Sequence, residues 1–155
     1  MKSICRILTP DQIHDLLELS ASDGFPYKMT EESASQYCKG KAPAAEGVQT
    51  YGVFVEAKLV SVMTATFCMV FPCKDSPSGK IVQISGAYTK HEYRHRHYAS
   101  DLLEMIRRDA IQFGADYLCC DRIADNLYQR NGFKPASEHE TRMWQQINSS
   151  PEDHI

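Results

Sequence analysis

The sequence predicts an α/β (α+β) fold in which a mixed, mostly antiparallel central sheet carries helices on both faces. Three observations predict it. The hydrophobic period changes along the chain in the order β-α-α-β-β-β-α-β-α-β. The three consecutive middle strands are joined by short connections, which makes them antiparallel neighbours. Between Lys80 and Cys120 a strand, a long helix and a second strand follow one another, and such a crossover makes its two strands parallel.

Ser3 to Leu8 is β-prone and runs into Thr9-Pro10, an N-cap followed by proline at the first helical position. Ile13, Leu16, Leu17 and Leu19 continue at helical spacing until Asp23-Gly24-Phe25-Pro26 stops the helix. Thr30 caps a second short helix, which turns Tyr37 inward. Lys39 to Gly47 is a polar connection. Tyr51, Val53 and Val55 then alternate with Gly52, Phe54 and Glu56, and Leu59 to Phe71 is rich in Val, Thr, Phe and Met. These are two strands about a tight turn at Glu56-Ala57-Lys58. Pro72 to Gly79 is the loop into a third strand, from Lys80 to about Thr89.

Tyr98, Leu102, Ile106, Ala110 and Phe113 mark one face of a helix, and Gly114 stands where a left-handed cap closes it. Asp116 to Cys120 reads as a short buried strand, Ile123 to Arg130 as a short helix ended by Asn131-Gly132, and Thr141 to Ile147 as a final strand. Residues 1–148 are expected to form one domain and 149–155 a flexible tail.

The 155 residues suffice for a real core, and 43 % hydrophobic against 24 % charged residues is an ordinary globular balance. A formal charge of −3 gives no global attraction to nucleic acid or to an anionic membrane. Met1 to Arg6 lacks the apolar run of a signal peptide. Leu59 to Phe71, broken by Ser61, Thr64 and Thr66, is too short and polar to cross a bilayer. The expectation is a cytoplasmic protein without nucleic-acid or membrane partners. Its six cysteines are expected as reduced, small apolar side chains.

The stretch that carries chemistry is Ala87-Tyr88-Thr89-Lys90-His91-Glu92-Tyr93-Arg94-His95-Arg96-His97-Tyr98-Ala99, a strand leading through a basic loop into a helix. Loop amides aimed at a helix N-terminus form an anion site, and Arg94 and Arg96 add positive charge. The same residues read equally as a solvated basic turn. His91, His95 and His97 form an H-x-x-x-H-x-H cluster, but the cysteines are not spaced as a zinc set, so no metal is expected.

Tyr93-Arg94-His95-Arg96-His97-Tyr98-Ala99 followed by Leu102-Leu103 resembles the acetyl-CoA motif of the GNAT (Gcn5-related) N-acetyltransferase superfamily, Gln/Arg-x-x-Gly-x-Gly/Ala. Ala124-Asp125-Asn126-Leu127-Tyr128-Gln129-Arg130-Asn131-Gly132-Phe133 is similar to its second signature, Ala-x-x-Leu-Tyr-x-x-x-Gly-Phe. The resemblance spans roughly Gln49 to Trp144. It departs at His97, which replaces the first glycine, at His95, another position that is often glycine, and at Asp121, where many relatives have asparagine. His97 either crowds a diphosphate or supplies a cationic hydrogen bond to it.

The resemblance implies the GNAT acyl-CoA N-acyltransferase fold and an N-acetyltransferase that moves the acetyl group of acetyl-CoA to a primary amine by direct attack in a ternary complex. It implies that Ala87, Tyr88, Thr89, Arg94, His95, Arg96, His97, Tyr98, Ala99 and Asn126 bind the cofactor. The strand from Lys80 to Thr89 is expected to splay from the one beginning at Asp116, opening a gap for the pantetheine arm. The Ala87 N–H would stabilise the oxyanion. Tyr128 would protonate the departing thiolate; its alternative is simple packing beside Phe133.

The general base stays open. Gln83 stands where some relatives have glutamate and cannot accept a proton, which leaves water relayed from Glu56, Asp75 or His91. The acceptor, a small-molecule or peptide amine, would meet Phe25, Tyr27, Glu31 and Glu32, unless these are ordinary helix surface. The strand ending at Trp144 is a candidate edge for a homodimer. The competing reading is a non-catalytic GNAT-like domain that senses acyl-CoA or binds a protein.

Overall fold

The computed structural model describes residues 2–40, 45–121, 125–135 and 142–147, with side chains left out at 121, 125, 126, 135 and 142–144. The strands are β1 (Ser3–Ile7), β2 (Gly47–Val55), β3 (Lys58–Met69), β4 (Lys80–Thr89), β5 (Tyr117–Asp121), β6 (Lys134–Pro135) and β7 (Arg142–Gln146). The helices are α1 (Ile13–Ser20), α2 (Glu31–Tyr37), α3 (Tyr98–Phe113) and α4 (Asp125–Arg130). The strands form one sheet in the order β1-β2-β3-β4-β5-β7-β6. β4 and β5 are parallel, while β1 with β2, β5 with β7 and β6 with β7 are antiparallel. This is the mixed, mostly antiparallel sheet that the periods predict.

The residues fall into two compact units. The first comprises 1–42, 48–64 and 86–105. Thr9 opens it with a capping box: Gln12 Oε1 accepts from the Thr9 N–H at 2.7 Å, and Thr9 Oγ1 accepts from the Asp11 N–H at 3.3 Å. Thr30 caps α2 in the same reciprocal way with Ser33. The apolar faces of the two helices, Leu16, Leu19, Ala34 and Cys38, pack with Leu8, Leu59, Val62 and Tyr88. Tyr37 does not face inward: it is 39 % exposed, because Ala34 and Cys38 fill the buried side of α2.

The second unit comprises 43–47, 65–85 and 106–155. Here Phe67 of β3 meets Phe113 of α3 edge to face at 5.5 Å, and Lys80 lies over the Phe113 ring. Val62 and Phe67 are an odd number of residues apart, so they project from opposite faces of β3.

Two expectations about the sheet are corrected. The two-residue β6 was not foreseen. It pairs Lys134 with Trp144 and Pro135 with Met143, so the strand ending at Trp144 is not the edge of the sheet there. The expected tail, 149–155, lies outside the described residues, as do parts of the expected connection before β2 and of the segment before α4.

Candidate active site

β4 is built irregularly. Near one end the Val70 N–H donates to the Gly79 carbonyl, and near the other the Lys90 N–H donates to the Val60 carbonyl. From Val60 to Val70 the chain advances ten positions, while from Gly79 to Lys90 it advances eleven. An antiparallel ladder keeps step residue for residue, so β4 carries one extra residue. Gly86 takes it up: its φ is +61°, a left-handed value suited to a bulge. Cross-strand contacts agree with both registers, Cys68 Sγ with the Ile81 carbonyl and Ser61 Oγ with Thr89 Oγ1 at 2.8 Å.

On its other side β4 stays in register with β5 only from Ile81↔Tyr117 to Ile84↔Cys120 among the described residues. Ser85 to Thr89 therefore extend past the last paired position. The described pairing of β4 with β5 thus ends beside the bulge. A lone glycine inside a strand, as Gly86 is, is the sequence mark of such a bulge.

The C-terminal end of β4 enters the basic loop within the first unit. Tyr88 is buried: its hydroxyl donates to the Asp23 carbonyl at 2.9 Å and its ring meets Phe25 edge-on at 4.9 Å. Thr89 and Lys90 lead into one tight helical turn, His91–Tyr93. Arg94 turns back, donating from Nε to the Thr89 carbonyl at 2.9 Å with its guanidinium over the Tyr88 ring. Arg96 also turns back, toward the Glu92 carbonyl at 3.4 Å and over the Tyr93 ring.

The next observation concerns the backbone. His95 has φ +63° and His97 has φ +65°. Left-handed backbone is rare outside glycine, although histidine, like asparagine, adopts it more readily than most. The His97 carbonyl accepts the Asp101 N–H at 3.0 Å, so the helical bonding of α3 starts from His97. The amides that follow it belong to a first helical turn, where intrahelical acceptors are missing. A left-handed pair ahead of a helix N-terminus turns successive N–H groups toward one concave face, the form of an anion nest.

In the second unit Tyr128 on α4 is buried, and its ring meets that of Phe133 edge to face at 5.4 Å. The Tyr128 carbonyl accepts from the N–H groups of Asn131 and Phe133, and Gly132 carries φ +91°, so Asn131-Gly132 ends the helix as expected. Asn126 lies on the same helix, and its side chain is outside the described part.

The family model described as Acetyltransferase (GNAT) family matches residues 11–133, which takes in the bulged strand, the loop and α4. The chain belongs to the GNAT acetyltransferase family. Solved structures place it on the same fold. The PaiA N-acetyltransferase of Thermoplasma acidophilum, in complex with coenzyme A, is 15 % identical with a TM-score of 0.71, over 94 % of this chain and 99 % of that one. NAA60 of Arabidopsis thaliana, in complex with acetyl-CoA, is 16 % identical with a TM-score of 0.72, over 96 % and 100 %. A GNAT-family acetyltransferase of Streptococcus pneumoniae is 18 % identical with a TM-score of 0.71, over 95 % and 100 %. No curated protein matches the chain.

Within this GNAT domain the first unit brings together Ala87, Tyr88, Thr89 and the run Arg94 to Ala99, while Asn126 and Tyr128 belong to the second. Among the expected acceptor residues, Phe25 is half-buried against Tyr88, whereas Tyr27, Glu31 and Glu32 are exposed. Tyr27 comes 3.9 Å from where a Cβ on Gly86 would stand. No helix among the described residues is long and apolar enough to cross a membrane. No group of His, Cys, Asp or Glu among them is arranged to hold a metal ion.

Proposed function

We propose that this GNAT domain is an acetyl-CoA-dependent N-acetyltransferase acting on a primary amine, by direct attack in a ternary complex. The observation that carries this reading is the left-handed backbone of His95 and His97, which keeps the cradle of a phosphate loop although neither residue is glycine. The residues fit a pyrophosphate: the amides from His95 to Ala99 would hold it, and α3 would contribute the positive end of its dipole. Bound there, acetyl-CoA supplies an activated acetyl thioester.

The chain's own residues then have distinct tasks. The backbone of Ala87 and Thr89, beyond the last β5 pairing, would bind an extended arm as an added strand, with Tyr88 anchoring that stretch through its core contacts. The Ala87 N–H would donate to the oxygen on which negative charge develops. Tyr128 would hold a proton at its hydroxyl for the leaving sulfur. A substrate amine reaches attack only after losing its proton, and Gln83 cannot accept it, which leaves water relayed from Glu56, Asp75 or His91.

Calorimetric titration with acetyl-CoA tests the binding half, and coenzyme A release with a panel of amines tests the transfer half. Binding without release from any amine would favour the sensor or protein-binding reading.

A further inference from the structure

The arginines are the obvious anion ligands of the loop, yet both fold back on it: Arg94 onto Thr89 and Tyr88, Arg96 onto Glu92 and Tyr93. The histidines do the opposite. His95 and His97 are exposed, and neither side chain makes a hydrogen bond, ion pair or ring contact among the described residues. Both hold a backbone conformation that costs any residue with a Cβ. Strained backbone of this kind concentrates at ligand clamps. Two unpartnered imidazoles, two residues apart, thus flank the very amides that form the nest.

We propose that His95 and His97 are titratable anion ligands, so that the loop grips the phosphates of acetyl-CoA more tightly when the imidazoles are protonated. This rests on the acetyl-CoA reading above. Imidazole titrates near neutrality, and a bound anion stabilises its cationic form. The other charged groups of the loop are Lys90, His91, Glu92, Arg94 and Arg96, and α3 adds Asp101 in its first turn. Across the small cleft at Lys90 stand Asp15, Glu18 and Lys58. On the loop itself cations outnumber the one carboxylate, so an arriving anion meets a net positive surround.

The sign follows: binding takes up protons, and affinity falls as pH rises through the imidazole range. The test is calorimetric titration with acetyl-CoA at about pH 6 and about pH 8, for the native chain, His95→Gly, His97→Gly, the double glycine variant and His97→Asn. Glycine fits the left-handed backbone without strain, and asparagine tolerates it while carrying no titratable group. The ligand's own phosphate titration is common to all variants. The native chain is expected to lose roughly fivefold more affinity between the two pH values than the double glycine variant does. It should also take up more protons, read from heats in buffers of different ionisation enthalpy, and His97→Asn should behave as His97→Gly does. Equal pH slopes in the native and double-glycine proteins, or tighter binding by the glycine variants at both pH values, would overturn the inference. No binding by the native chain at either pH overturns the acetyl-CoA reading itself.

Discussion

Asp116 Oδ2 accepts two hydrogen bonds from Ser78, one from its N–H at 3.0 Å and one from its hydroxyl at 2.6 Å. Ser76 Oγ adds a third at 2.9 Å, and the carboxylate is almost wholly buried. The loop between β3 and β4 is therefore pinned to the residue just before β5. Replacing Asp116 with Ala leaves these donors unmatched, at about 1–3 kcal/mol. We expect Asp116→Ala to lower unfolding stability by about 3 kcal/mol and Ser78→Ala by less, measured by urea denaturation. A loss under about 0.5 kcal/mol for Asp116→Ala would show that the carboxylate does not hold the loop.

The hairpin between β2 and β3 turns through Glu56 at φ +51° and Ala57 at φ +66°. Positive φ at both central residues is the pattern of a type I′ turn, which favours Asn-Gly. Glu-Ala fills it at a cost of about 1–2 kcal/mol per residue. Ala57→Gly is expected to raise stability by about 1 kcal/mol, and Glu56→Asn with Ala57→Gly by more, read as an increase in Tm.

These two cases mark where the sequence was legible. The turn was visible because two β-prone runs flank it, but its left-handed backbone was not, since neither residue is glycine. The same holds for His95 and His97: the motif located the loop, while the retained backbone shape appears only in three dimensions. Most elements followed from period and caps, as with Thr9, Thr30 and Gly114. β6 escaped because two residues ending in proline have no period. The partners of Asp116 lie 38 and 40 residues away, beyond any local pattern. The bulge at Gly86 was not read from the sequence, because only paired hydrogen bonds reveal the extra residue.

Gly86 itself is testable. A Cβ there would stand 3.2 Å from Thr64 Oγ1 on a left-handed backbone. Gly86→Ala is expected to cost about 1–2 kcal/mol from the backbone alone. Because the bulge lies next to the last described β4–β5 pair, Gly86→Ala should also weaken acetyl-CoA binding more than Ala57→Gly does. Equal cofactor affinity in the two variants would separate the bulge from the site.

Cys38 is fully buried, and its thiol is pushed up from its ordinary value to about 11, first by burial and then by the charge of Asp15. In the unfolded chain it ionises near 9.0, so between these values the folded state holds the proton that the unfolded state has lost. Its contribution to stability is therefore full below the lower value and disappears as pH rises through the upper one. Cys38→Ala should flatten this alkaline decline, at the cost of a small cavity. In the native protein a thiol reagent should modify the exposed Cys73 rapidly and Cys38 only on unfolding.

Tyr128→Phe bears most directly on the proposed chemistry. The variant keeps the edge-to-face contact with Phe133, so stability should fall by no more than about 1.5 kcal/mol, the worth of an ordinary hydrogen bond. If the hydroxyl protonates the leaving sulfur, kcat should drop by roughly a hundredfold or more, the usual scale for a general acid, while the Kd for acetyl-CoA stays within about twofold. A solvent-supplied proton would replace it poorly at high pH, so the deficit should widen as pH rises. Tyr128→Ala separates the two roles: it removes ring and hydroxyl together, and only it should destabilise the fold by about 3–5 kcal/mol. An unchanged kcat in Tyr128→Phe would return Tyr128 to the core as a partner of Phe133 and require another acid.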